Sequence, residues 1–149
     1  MYWYENFYHR PFNWVYSSDF LFLSSCTNWD NFSKDQIFSL VQDNDEFLQK
    51  CIDTGDFEKA KQIEGIKDVY SSAKGSYIEF YCGGTGLASS SSYYGFYFSP
   101  DDVPLAVAVI STEKLVPQDD GYGYNEPKGD NKYYTERILE NWFYYEAHY

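Results

Sequence analysis

Three cysteines, two histidines and one glycine-rich run are the residues of this chain best equipped for chemistry, and their spacing argues against most of it. Cys26, Cys51 and Cys82 lie 25 and 31 positions apart, with no CxxC pair. An odd count without close pairs does not make a disulfide framework, so the expectation is buried free thiols in a reducing compartment. His9 and His148 stand at opposite ends of the chain, and neither belongs to an HExxH or CxxC…H pattern, so no metal ligand is assigned. Oxygen ligands are plentiful, but no EF-hand spacing occurs. Asp119, Asp120, Glu126 and Asp130 share one stretch that could gather a calcium ion, although solvated turn acids are the ordinary explanation.

Nucleophilic catalysis needs a nucleophile beside a base. Cys82 with His148, or Ser24 with His9, are pairings the sequence allows but does not indicate. Cys82 falls on the apolar side of a predicted strand beside Phe80, where burial would raise the thiol pKa and leave it inert. Glu79, on the tyrosine side of the same strand, is the least arbitrary carboxylate for glycoside chemistry. Gly83-Gly84-Thr85-Gly86 resembles a phosphate cradle only in its glycines. No Lys sits in it and no helix N-terminus follows, so it reads as a hairpin connection. No catalytic residue and no cofactor are assigned. The expectation is a non-enzymatic protein, with an unrecognised hydrolase as one alternative.

Charge and aromatic content say more. The chain has 149 residues and a net charge of −12, from 23 acids and 11 bases. The excess is spread out: residues 1–74 carry 12 acids and 7 bases, and residues 75–149 carry 11 and 4. Such a field repels nucleic acid and anionic lipid and attracts basic proteins. Direct nucleic-acid binding is therefore not expected. The 17 Tyr, 12 Phe and 4 Trp make up 22% of the chain, half of its hydrophobic content. Rings of this kind can fill a core or form a contact face.

Two binding features follow. The first pairs acids with rings: Asp101, Asp102, Asp119, Asp120, Tyr122, Tyr124, Glu126 and Asp130. Pliable segments of this make-up can engage an Arg-rich surface by charge attraction, charge-assisted hydrogen bonds and cation–π contact. The second is a wet face on two predicted strands, made by Tyr77, Glu79, Tyr81, Tyr93 and Tyr97. The leading expectation is a small acidic protein that inhibits a basic protein partner, in the manner of an immunity protein or a phage anti-defence inhibitor. The alternative is a surface-linked module that binds glycan or protein through the tyrosine face. Leu23-Ser24-Ser25-Cys26 resembles a lipoprotein cleavage box and would supply a lipid anchor at Cys26. The start of the chain lacks the basic stretch and long apolar run of a signal peptide, no window has the length of a membrane span, and a cytoplasmic location is expected.

The elements that must position these residues follow from periodicity. The length fits a single domain. Residues 1–29 are dense in rings without a clean period and read as an aromatic arm or edge strands. Residues 33–66 are helical. Ser33 with Gln36 forms a capping box, Asn44-Asp45 reads as a restart, Thr54-Gly55 as a stop, and Asp56 as the cap of a third helix. Residues 69–149 change to period two. Strands are expected at 77–82, 93–98, 105–110 (central, covered on both faces) and 122–125. A Gly/Ser loop is expected at 83–92, a turn at 99–102 and a long exposed loop at 117–131. Residues 132–138 and 142–149 fit two strands or one helix, and aromatic crowding at Trp142 to Tyr145 favours strands. The predicted class is α+β: two or three short N-terminal helices packed on a mainly antiparallel sheet of about five or six strands.

Overall fold

The computed structural model describes residues 32–87, 90–107 and 111–149. The expected aromatic arm at 1–29, with His9, Ser24 and Cys26, lies outside them. The described chain is an α+β fold: one antiparallel sheet with one long helix on one face.

The helix α1 spans Lys34–Thr54. Its start is the expected capping box: the Gln36 amide donates to Ser33 Oγ at 3.3 Å, and the Ser33 amide donates to Gln36 Oε1 at 2.8 Å. Its end is Gly55, in the left-handed conformation at φ 68°, with its N–H returned to the Ile52 carbonyl. The expected break at Asn44-Asp45 does not occur. Asn44 sits on the buried stripe of Ile37, Val41, Leu48 and Cys51, and its side-chain amide donates to the Leu40 carbonyl at 2.8 Å. The polar group is satisfied within the helix, so the stripe continues through it. Asp45 accepts a hydrogen bond from Trp142 Nε1 at 2.8 Å and ties the middle of α1 to the sheet. Two expected short helices are thus one helix of 21 residues. The expected third is a single turn, α2 (Phe57–Ala60), and the Asp56 carboxylate makes no cap but pairs with Lys59.

Seven strands form the sheet, in place of the expected five or six: β1 (Asp68–Ser71), β2 (Ile78–Leu87), β3 (Ser90–Phe98), β4 (Val116–Gln118), β5 (Gly121–Asn125), β6 (Lys132–Leu139) and β7 (Trp142–His148), in the order β1-β2-β3-β7-β6-β5-β4. Residues 132–149 are strands, as aromatic crowding favoured, and they turn at Glu140-Asn141 with Asn141 at φ 67°. The described residues of the Gly/Ser run, 83–87 and 90–92, are strand and not loop. After a register shift between Tyr81 and Gly83, the ladder continues through Gly84↔Tyr93 to Leu87↔Ser90. Rings fill what the glycines leave open. A side chain at Gly83 would meet the Tyr94 hydroxyl at 2.6 Å. Within the run 117–131 the strand expected at 122–125 is β5, and it pairs with β4, which was not expected, in a hairpin.

Alternation along the strands separates two cores. On the helix face, Phe80, Cys82, Phe96, Trp142 and Tyr144 meet Ile37, Val41 and Leu48 of α1. On the other face, Tyr97, Tyr133, Phe143 and Tyr145 meet Leu105 and Val107. Residues 105–107 are therefore not the start of a central strand. They cross the second face without joining the ladder, and residues 108–110 lie outside the described set. Tyrosine hydroxyls take the place of a ladder. Leu105 N donates to Tyr97 Oη at 2.8 Å, Val107 N donates to Tyr133 Oη at 3.0 Å, and Tyr133 Oη donates to the Leu105 carbonyl at 2.9 Å. A small apolar run with satisfied backbone can cap a sheet as well as extend one.

Candidate functional site

The acids singled out from the sequence divide between the two ends of the sheet. Strand directions put the turn after β3 (Asp101, Asp102), the β4–β5 turn (Asp119, Asp120) and the β6–β7 turn (Glu140) at one end. Glu126 and Asp130, in the β5–β6 connection, lie at the other. Tyr122 and Tyr124 point from β5 to the second face. Tyr122 is 40% exposed, whereas Tyr124 packs into the second core under the Lys114 ammonium. The Asp45–Trp142 bond brings the middle of α1 to the first end. There a shallow cavity of about 620 Å³ has Asp43, Asp45, Glu46 and Phe47 in its lining. Of these acids only Asp45 figured in the sequence reading, as part of the expected break at Asn44-Asp45. Only the tertiary bond from Trp142 to Asp45 sets this stretch of α1 at that end, and no local spacing marks it.

This end is built on a rigid base. Asn141 Nδ2 donates to the carbonyls of Ser99 (2.9 Å) and Pro100 (3.2 Å), and the Asn141 amide donates to Asp102 Oδ1 at 2.7 Å. Arg137 donates to the same carboxylate oxygen. The Arg137 guanidinium, followed by the Asn141 amide, holds the Asp102 carboxyl below its usual range. Asp102 is thus a structural anchor, while Asp101, Asp119, Asp120 and Glu140 reach solvent. Phe47 (41%) and Val103 (44%) are exposed apolar groups on the same elements. Other cations are likewise engaged: Lys59 by Asp56, Lys61 by Glu58 and Lys34 by Glu136.

Tyr77, Glu79, Tyr81, Tyr93 and Tyr97 do share one face of the sheet, but the face is not uniformly wet. Tyr97 is fully buried beneath the covering segment, and Glu79 is 6% exposed. Burial pushes the Tyr97 hydroxyl up to about 12. Glu79 accepts a hydrogen bond from Tyr145 Oη at 2.6 Å, and burial followed by the Glu79 charge holds Tyr145 well above the tyrosine range. The outer rings, Tyr81, Tyr93 and Tyr149, run in a row with centroids 6.4 and 5.8 Å apart and planes tilted 49°.

One polar juxtaposition escaped the sequence reading. Ser92 Oγ lies 2.7 Å from His148 Nδ1 across β3 and β7, with Glu146 Oε1 3.8 Å from the other ring nitrogen. Only tertiary register pairs positions 56 apart, so no local signal exists. The neighbouring amides of Ser91 and Tyr149 are bonded to each other's carbonyls, which removes them as oxyanion donors. Cys82 and Cys51 are buried free thiols, and burial pushes Cys82 up to about 12. Cys82 lies in the helix-face core, among Phe80, Phe96 and Trp142. Among the described residues, no three His, Cys, Asp or Glu side chains group as metal ligands, and no helix is long and apolar enough to cross a membrane. Comparison of the chain with protein-family models, with curated proteins and with solved structures gave no match.

Proposed function

We propose that this chain is a non-enzymatic inhibitor of a basic protein, and that it docks through the acidic end of its sheet. One observation carries the reading: the turns that bear Asp101, Asp119, Asp120 and Glu140 lie at one end of the sheet, where Arg137 is already held by Asp102 and Asp45 of α1 is tied to Trp142. Carboxylates gathered on fixed turns concentrate negative potential and raise the encounter rate of a cationic surface by about 10 to 1,000-fold. Phe47, Val103 and Tyr122, each about two-fifths exposed, supply apolar anchors beside the charges. The reading keeps four of the residues picked out from the sequence as contacts, Asp101, Asp119, Asp120 and Tyr122, and assigns Asp102 to anchoring the turn. It leaves Tyr124, Glu126 and Asp130 outside the contact.

The test is kinetic. A partner captured at low salt is purified, and its association rate is measured from 50 to 500 mM salt against the wild type and against D101N/D119N/D120N/E140Q. Association should slow steeply with salt, and the variant should associate about tenfold more slowly at the lowest salt. A rate indifferent to both salt and variant would overturn the reading. So would tight, saturable binding of DNA or RNA by the isolated chain.

A further inference from the structure

Lys34 occupies the first position of α1, the place on a helix least suited to a cation. The unpaired N–H groups there carry positive partial charge, which repels a lysine among them. The structure compensates by surrounding its ammonium group. Lys34 Nζ pairs with Glu136 Oε2 and lies 5.5, 5.3 and 5.9 Å from the ring centroids of Phe38, Tyr134 and Tyr144. The three rings come from α1, β6 and β7, so the cage exists only in the folded chain.

Each tyrosine of the cage is also polarised. Tyr134 donates to Glu136 Oε2 at 2.6 Å, and Tyr144 donates to Glu146 Oε2 at 2.8 Å. A phenol that donates to a carboxylate gains electron density on its ring, which strengthens the attraction of the face for a cation. The Glu136 side chain is 13% exposed and largely withdrawn from water, whereas that of Lys34 is 42% exposed. Tyr144 is buried, Phe38 and Tyr134 are half-buried, and the occupant sits at an open mouth on a flexible four-carbon stem.

We propose that Phe38, Tyr134, Tyr144 and Glu136 form a binding site for alkylammonium groups, and that Lys34 is its resident occupant, displaced by an incoming ammonium ion. The exchange breaks no core contact. Lys34 leaves a position where the helix dipole opposes it, and the incoming cation takes its place against Glu136 and the rings. A methylated ammonium is favoured over a primary one, since it gives up less hydration on entering a ring of aromatic faces. The site uses none of the carboxylates assigned to the acidic end, and it does not depend on a protein partner.

The experiment is a titration of wild type, K34A and K34A/Y134L with tetramethylammonium chloride, with ionic strength matched by sodium chloride and the readout taken from backbone amide shifts at Phe38 and Tyr144. K34A should bind saturably and at least tenfold more tightly than wild type, and K34A/Y134L should lose that gain. K34Q, which keeps a long polar side chain at the helix start, repeats the measurement if circular dichroism shows that K34A disturbs α1. A vacated cage that binds less than tenfold more tightly than wild type overturns the proposal, as does a gain that survives the loss of the Tyr134 ring.

Discussion

Replacing Tyr133 by Phe removes a single oxygen atom from the second core. That atom accepts from the Val107 amide at 3.0 Å and donates to the Leu105 carbonyl at 2.9 Å. The ring stays where it is, stacked on Tyr145 at 10° between planes, so the change isolates the hydroxyl. The two backbone groups lose unequally. Val107 is fully buried, and its N–H left without a partner costs about 1–3 kcal/mol. Leu105 is only partly buried, so its carbonyl can turn to water and loses a net ~0.5–1.5 kcal/mol. The central value is about 3 kcal/mol, or a fall in Tm of roughly 6–12 °C for a domain of this size. Urea or thermal unfolding measures the loss, and amide exchange at Leu105 and Val107 locates it. If Y133F costs under about 0.5 kcal/mol and leaves Val107 exchange unchanged, the hydroxyl does not hold the covering segment. Tyr97 offers a cross-check. Thr135 Oγ1 spends its proton on the Tyr144 carbonyl, so Tyr97 Oη donates to Thr135 and accepts from Leu105 N. Because Tyr97 and Tyr133 grip one segment, Y97F/Y133F should fall short of the sum of the single losses.

Three other outcomes follow from the same geometry. Alkaline pH should unfold the protein earlier than its surface would suggest. Cys82 and Tyr97 are each raised to about 12 from ordinary values of 9.0 and 10.0, so the folded state holds protons that the unfolded state releases. Their contribution is whole below about pH 9 and is lost as pH climbs toward 12, with Tyr97 alone accounting for on the order of 3 kcal/mol; tyrosinate absorbance should then rise in step with loss of circular dichroism, and smooth titration of every tyrosine in the folded state would contradict this. Gly95→Ala should cost about 3 kcal/mol by urea unfolding, because an added methyl would overlap the Phe80 carbonyl oxygen and press on the Tyr145 ring at 3.1 Å. Ser33→Ala should cost about 1 kcal/mol by the same measurement and fray only the first turn of α1, since it removes the cap that receives the Gln36 amide.

What the residues disclosed in advance, and what they did not, divides along the range of the interactions. The capping box at Ser33 and Gln36 and the stop at Gly55 were legible because their partners lie within a few positions. So was the period-two run through Tyr77 to Cys82. Asn44-Asp45 was misread as a break because its justification is partly distant: Asn44 bonds locally, but Asp45 bonds to Trp142, 97 positions away. The Gly/Ser run looked like a loop because glycine and serine carry no strand preference; its described residues lie in β2 and β3 because Tyr93, Tyr94 and the neighbouring ladder hold them. Residues 105–107 have the composition of a central strand, but the hydroxyls that claim their backbone groups belong to Tyr97 and Tyr133. Composition says a segment is buried. It does not say whether its hydrogen bonds go to a ladder or to side chains.

The candidate sites divide the same way. Net charge is a sum over residues and needs no fold, so the proposal of a cationic counterpart starts from counting alone. The place where that charge acts is a difference between neighbours. Asp102 and Asp101 are adjacent in sequence, yet one is bound to Arg137 and Asn141 while the other faces water. Lys34 makes the point in reverse. In sequence it is one of 11 bases, a small correction to a net charge of −12. In the fold it is the cation that Phe38, Tyr134 and Tyr144 surround, three rings separated by as many as 106 positions. An acidic chain that encloses one of its own lysines in this way carries, in its own fold, a worked instance of the contact it would make with a cation from outside. Recognition by rings and recognition by bulk charge answer differently to salt, since a ring contact acts within about 6 Å whereas exposed turns act across a Debye length. Salt-resistant ammonium binding on top of salt-sensitive protein association would therefore be the joint signature of the two sites acting on one molecule.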